Sequence, residues 1–79
     1  MKTAKISAVL WREGEQYVSK SPELGVASCG DSMEEALENL KEAVELYLEN
    51  AKALGMLSEI RRPLQSEEKY STSFDVALP

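Results

Sequence analysis

The sequence predicts an α+β fold of order βββαβ, in which a small antiparallel sheet is covered by one long helix. Two patterns carry that reading. Short segments with period-two alternation lie between glycine- and proline-containing turns, and a single 3–4 periodicity runs from Ser32 to Gly55. The length of 79 residues makes one domain, 1–79, and a domain this small buries only about 60–65% of the surface its unfolded chain exposes. A thin core follows, and with it a reason to gain burial from a second subunit.

The elements follow in chain order. Ala4 to Arg12 reads as the first strand, with Ile6, Ala8 and Leu10 on one face and Ser7, Val9 and Trp11 on the other. Both faces are largely apolar, which suits a strand covered twice or covered once and used in an interface. Glu13-Gly14-Glu15 is a turn, and Gln16 to Ser21 is the return strand of a hairpin. On that spacing Trp11 and Tyr17 are expected to meet as a cross-strand aromatic pair. Pro22 ends the second strand because it lacks the ladder donor, Glu23-Leu24-Gly25 turns the chain, and Val26 to Cys29 forms the third strand.

Ser32-Met33-Glu34-Glu35 has the form of a capping box: the Ser32 hydroxyl accepts a free amide of the first turn and the Glu35 carboxylate accepts the amide of Ser32. The helix runs from Met33 to Leu54, a length of roughly 33 Å, with Leu37, Leu40, Val44, Tyr47, Ala51 and Leu54 as its apolar stripe and Ala36, Ala43 and Leu48 widening it. Gly55 ends it in the left-handed position, with Met56 closing back on Ala51. Arg61-Arg62-Pro63 marks a break. Tyr70 to Leu78 then alternates: Tyr70, Thr72, Phe74, Val76 and Leu78 share one face, as expected of a half-buried fourth strand. The connection from Leu57 to Lys69 is long for a compact domain. It could let the last strand reach a neighbouring chain, so Phe74, Val76 and Leu78, with Trp11, are expected oligomer-interface residues of a dimer or larger assembly.

The charges exclude more than they assign. Fourteen acidic and nine basic residues leave a net charge of −5, a poor basis for binding phosphate backbones. The segment Met33–Leu54 holds six glutamates and two lysines, net −4, so the remainder of the chain carries only −1. Glu38, Glu42, Glu45 and Glu49 form one ridge opposite the apolar stripe, suited to a basic protein partner. The plain alternative for this ridge is a solvated helix face.

No catalytic residue, cofactor or metal ligand set is expected. Histidine is absent and the single cysteine, Cys29, has no partner to activate it. Acids that could hold a metal are scattered, with Asp75 on a strand and Glu13, Glu15, Glu23 and Asp31 in turns. The glycines are isolated, so no phosphate-cradling loop is present. No run approaches the roughly 18 apolar residues of a membrane span, and the N-terminus lacks a signal-peptide pattern. A cytoplasmic location is the expectation.

The stretch Tyr17-Val18, Pro22-Glu23-Leu24-Gly25, Ser28, Gly30-Asp31-Ser32 and Glu34-Glu35-Ala36-Leu37 resembles the HicB-like antitoxin family. Asn39-Leu40-Lys41-Glu42-Ala43 and Leu46-Tyr47-Leu48 continue the resemblance, which covers Ala4 to Leu54 well and the tail less well. It implies a partial ribonuclease H-like βββαβ unit without a nuclease site, which neutralises HicA, a small basic messenger-RNA-cleaving toxin. Pro22, Gly25, Gly30, Ser32, Glu34 and Glu35 carry over as structural marks. Two departures stand out: Leu24 runs straight into Gly25, and no DNA-binding segment follows Leu78, so repression by this chain is not expected. Alternatives are a residual metal-dependent nuclease on the same fold and a self-associating regulatory or scaffold domain with no toxin partner.

Overall fold

The computed structural model describes residues 5–59 and 68–79. Three strands, β1 (Val9–Glu13), β2 (Gln16–Lys20) and β3 (Ala27–Gly30), form an antiparallel sheet in the order β1-β2-β3, and one helix, α1 (Met33–Ala53), follows. This is the small α+β, βββα arrangement that the alternating and 3–4 patterns predict. Each strand is offset from its sequence-based range by one or a few residues, as element ends commonly are. The first starts at Val9 rather than Ala4, the second ends at Lys20, and the third is displaced by one residue to Ala27–Gly30.

The hairpin turn has two residues rather than three, because Glu13 pairs directly with Gln16. That changes the register by one residue. Trp11 now pairs with Val18, and Tyr17 pairs with Arg12, so the expected Trp11–Tyr17 contact is not made. The two rings lie on opposite faces of the sheet, since successive strand side chains alternate. The Arg12 guanidinium instead lies 5.9 Å from the centroid of the Tyr17 ring.

Ser19 identifies the face that meets the helix. It is fully buried, and its hydroxyl donates to the Ala36 carbonyl at 2.8 Å. Leu10 and Ser28 are its cross-strand neighbours and so share that face. The helix start lies almost on β3. A Cβ on Gly30 would stand 2.6 Å from the Ala36 amide nitrogen, so only glycine permits the approach. The Asn39 side-chain amide donates to the Cys29 carbonyl at 2.8 Å and holds the next turn against the same strand.

Both helix ends follow from local sequence. Ser32 is the N-cap, with its hydroxyl accepting the Glu35 amide at 3.1 Å. The Glu35 carboxylate turns to the Asp31 amide, at 3.4 Å, instead of that of Ser32. At the other end Leu54 is the C-cap and Gly55 has φ +74°. The Met56 amide donates to the Ala51 carbonyl at 2.8 Å and the Gly55 amide to Lys52 at 3.1 Å, the two bonds of a Schellman motif.

The core is thin, as the length requires. Its buried apolar residues are Ala36, Leu40, Val44 and Ala51, all from α1. The stripe is narrower than its periodicity suggests: Leu37, Tyr47 and Leu54 are exposed, Leu54 by 71%. Twenty-one helical residues span roughly 32 Å, whereas a five-residue strand spans about 17 Å. The helix also leans on β3 and β2 and barely touches β1. Leu54 therefore lies beyond the sheet, and Leu37 faces the poorly covered β1 side.

The expected fourth strand does not form within the chain. Residues 68–79 carry no helix or strand, and no backbone hydrogen bond joins them to other described residues. Phe74, Val76 and Leu78 are exposed. An alternating segment becomes a strand only when an edge supplies its ladder partner, and no strand among the described residues does so. The expected break at Arg61-Arg62-Pro63 lies outside the described residues. Residues 57–59 are helical.

Candidate protein-binding surface

The four ridge glutamates are where their spacing places them. Glu38, Glu42, Glu45 and Glu49 are all exposed and lie on the side of α1 opposite its buried residues, which recur at helical spacing about half a turn away. Among the described residues none of the four takes part in an ion pair or hydrogen bond. Lys41 sits three residues from Glu38 and four from Glu45, yet pairs with neither. Like charges three and four residues apart each cost a few tenths of a kcal/mol. The ridge therefore adds nothing to the helix it decorates.

A second surface is apolar. The row Trp11–Val18–Cys29 alternates with the helix-facing row Leu10–Ser19–Ser28 and so points to the other side of the sheet. Trp11 and Val9 are exposed there, and the Trp11 indole N–H donates to Glu13 Oε1 at 2.9 Å. Cys29 is a free, exposed thiol on that row. Phe74, Val76 and Leu78 lie in the tail and, like Trp11, are exposed.

Glu23 has a role that sequence reasoning missed. Its side chain is only 9% exposed and joins three distant parts of the chain. Glu23 Oε2 accepts the Ser7 amide at 2.9 Å and pairs with the Lys69 ammonium at 2.8 Å, while the buried Ser21 hydroxyl lies 3.5 Å from Oε1. Lys69 also donates to the Lys5 carbonyl. Burial alone would raise the Glu23 carboxyl, but the Lys69 ammonium and the Ser7 amide outweigh it, and the pKa is lowered from 4.5 to about 2. The Pro22-Glu23-Leu24-Gly25 turn therefore works as a clasp. It secures the approach to β1 beyond the point where Pro22 ends the ladder, and it anchors the root of the tail.

Among the described residues no three His, Cys, Asp or Glu side chains come together as a candidate metal site. Glu13 and Glu15 flank Gly14 at the hairpin turn, Asp31 precedes the N-cap of α1, and Asp75 lies in the tail. No helix among the described residues is long and apolar enough to cross a membrane.

A βββα unit with an exposed acidic helix face, a clasped turn and an exposed tail is a small α+β domain. The chain belongs to the family described as "Family of unknown function (DUF7387)", whose model matches residues 4–58. It is also similar to a "UPF0150 protein" of Helicobacter pylori (strain J99 / ATCC 700824), with 47% identity over 49 residues that cover 61% of this chain and 68% of the relative. No solved structure matches it. The family match contains the sheet, the Pro22–Gly25 turn with Glu23, and α1, and stops short of Lys69 and the tail.

Proposed function

We propose that this chain is a non-catalytic, antitoxin-like binding domain whose acidic helix face neutralises a small basic ribonuclease of the HicA type. The observation that supports this most is the ridge of Glu38, Glu42, Glu45 and Glu49, exposed and without partners among the described residues. Such a field steers a cationic protein and is complementary to it. The motif resemblance to HicB-like antitoxins supports the choice of partner and a distant relation to the ribonuclease H-like fold. The motif residues have structural work in this chain: Gly30 admits the helix, Ser32 caps it and Glu23 clasps the turn.

Calorimetric titration with a purified HicA-type ribonuclease, paired with an RNA-cleavage assay, tests the proposal. The wild-type chain should bind and suppress cleavage, with affinity falling as salt rises. Charge reversal at Glu42→Lys and Glu45→Lys should weaken binding by roughly ten- to a hundredfold, since like-charge juxtaposition costs several kcal/mol. Absence of binding, or binding indifferent to both substitutions, overturns it.

A further inference from the structure

Beside the edge of the sheet is an open groove of about 610 Å³, with Ile6, Ser7 and Ala8 on one wall, Leu37, Leu40, Val44 and Leu48 of α1 on the other, and Glu38, Lys41 and Glu45 of α1 also in its lining. It exists because the helix leans toward β3 and leaves the β1 side uncovered. β1 is an end strand, so the outer side of its backbone has no ladder partner in the sheet. The same chain carries an unused segment of matching character. Tyr70, Phe74, Val76 and Leu78 occupy alternate positions, and Phe74 and Leu78 are 83% and 92% exposed. The tail is rooted through Lys69 at Glu23 and Lys5, beside the Ser7 that lines one wall of the groove, and beyond that root Phe74, Val76 and Leu78 are exposed.

We propose that the tail of one chain pairs with the outer edge of β1 in a second copy, with Phe74 and Val76 seated in that copy's groove, and that the exchange is reciprocal. The segment alternates as a strand covered on one face must: its apolar side meets Leu37, Leu40, Val44 and Leu48, and Ser71, Ser73 and Asp75 face solvent. Seating it supplies the missing fourth strand and protects an edge that would otherwise invite uncontrolled pairing. Two identical contacts related by a two-fold axis close the assembly as a dimer. The Tyr70 and Phe74 rings remove about 300–500 Å² per tail, at roughly 150–250 Å² each, and Val76 and Leu78 add to that. Two tails with the groove surface they cover exceed the roughly 1,200 Å² of a stable interface.

Sedimentation equilibrium of the full chain, together with isotope-filtered nuclear Overhauser spectra on a mixture of labelled and unlabelled chains, tests this. The expected results are a dimer and contacts between the Phe74 ring of one chain and the Leu40 and Val44 methyls of the other. The Phe74→Asp/Val76→Asp variant should dimerise about a hundredfold more weakly, because a buried unpaired charge is costly. Its helical circular dichroism should be unchanged, because Phe74 and Val76 are exposed in their own chain and the Lys69–Glu23 pair is left intact. A monomeric full chain overturns the proposal. So do Phe74 contacts confined to one chain, or a dimer that survives both aspartates.

Discussion

At the residue scale, two side-chain positions decide how the chain closes on itself. Gly30 leaves no room for a methyl group, since the atom a Cβ would meet at 2.6 Å is the Ala36 backbone nitrogen, which cannot swing aside as a flexible side chain could. Gly30→Ala should therefore lift the helix start from β3 and cost about 1–3 kcal/mol, read as a lower urea midpoint. Glu23 acts through charge. Its carboxyl titrates at about 2 in the folded chain instead of 4.5, so the unfolded state takes up the proton first as pH falls. The stabilisation is fully present above 4.5 and is lost between there and about 2. Glu23→Gln should lower stability by about 1–3 kcal/mol at neutral pH. It should also flatten the acid limb in that window, as urea titrations at a series of pH values would show. Gly30 and Glu23 differ in how readable they are. Glu23 joins Ser7 and Lys69, 16 and 46 positions away along the chain, and no local pattern announces such contacts. What can be read locally is that Pro22 denies the ladder a donor, so some other group must hold the chain beyond it.

At the element scale, the helix is the most legible part of the molecule because its signals are local. Ser32 and Gly55 mark its ends within a residue, and the observed caps use the donors and acceptors their chemistry offers. Ser32→Ala should remove the acceptor for the Glu35 amide and cost about 1 kcal/mol, measurable as fraying of the first turn in hydrogen exchange. The strands are less legible because register depends on a single residue of turn length. A three-residue turn would pair Trp11 with Tyr17; the two-residue turn puts them on opposite faces. The stripe on α1 overstated burial for a related reason. Periodicity shows which side of a helix is apolar but not how far the surface beneath it extends, and here three strands of four or five residues underlie only part of it.

At the scale of the whole molecule, the chain is incomplete in a consistent way. Among the described residues the buried apolar core comes down to two alanines, a leucine and a valine, while a groove beside β1, the outer row of Val9 and Trp11, and the tail all leave apolar surface uncovered. Tyr70 to Leu78 alternates as a strand does, yet residues 68–79 form none; alternation shows which side of a segment is apolar and does not name an edge to receive it. The acidic ridge's position on α1 follows from spacing alone, and the partner proposed for it is not written in that spacing. Glu38 and Glu45 belong to the lining of the groove beside β1 as well as to the ridge, so a tail seated there would cover part of the charged face and leave Glu42 and Glu49 outside it.

The most direct test of the account is a residue-resolved nuclear magnetic resonance titration of the labelled chain with a HicA-type ribonuclease. The account predicts shift changes concentrated at the outer face of α1, at Glu38, Glu42, Glu45 and Glu49, that diminish as salt is raised. Changes concentrated on the Trp11 row of the sheet, or no changes at all, would contradict it.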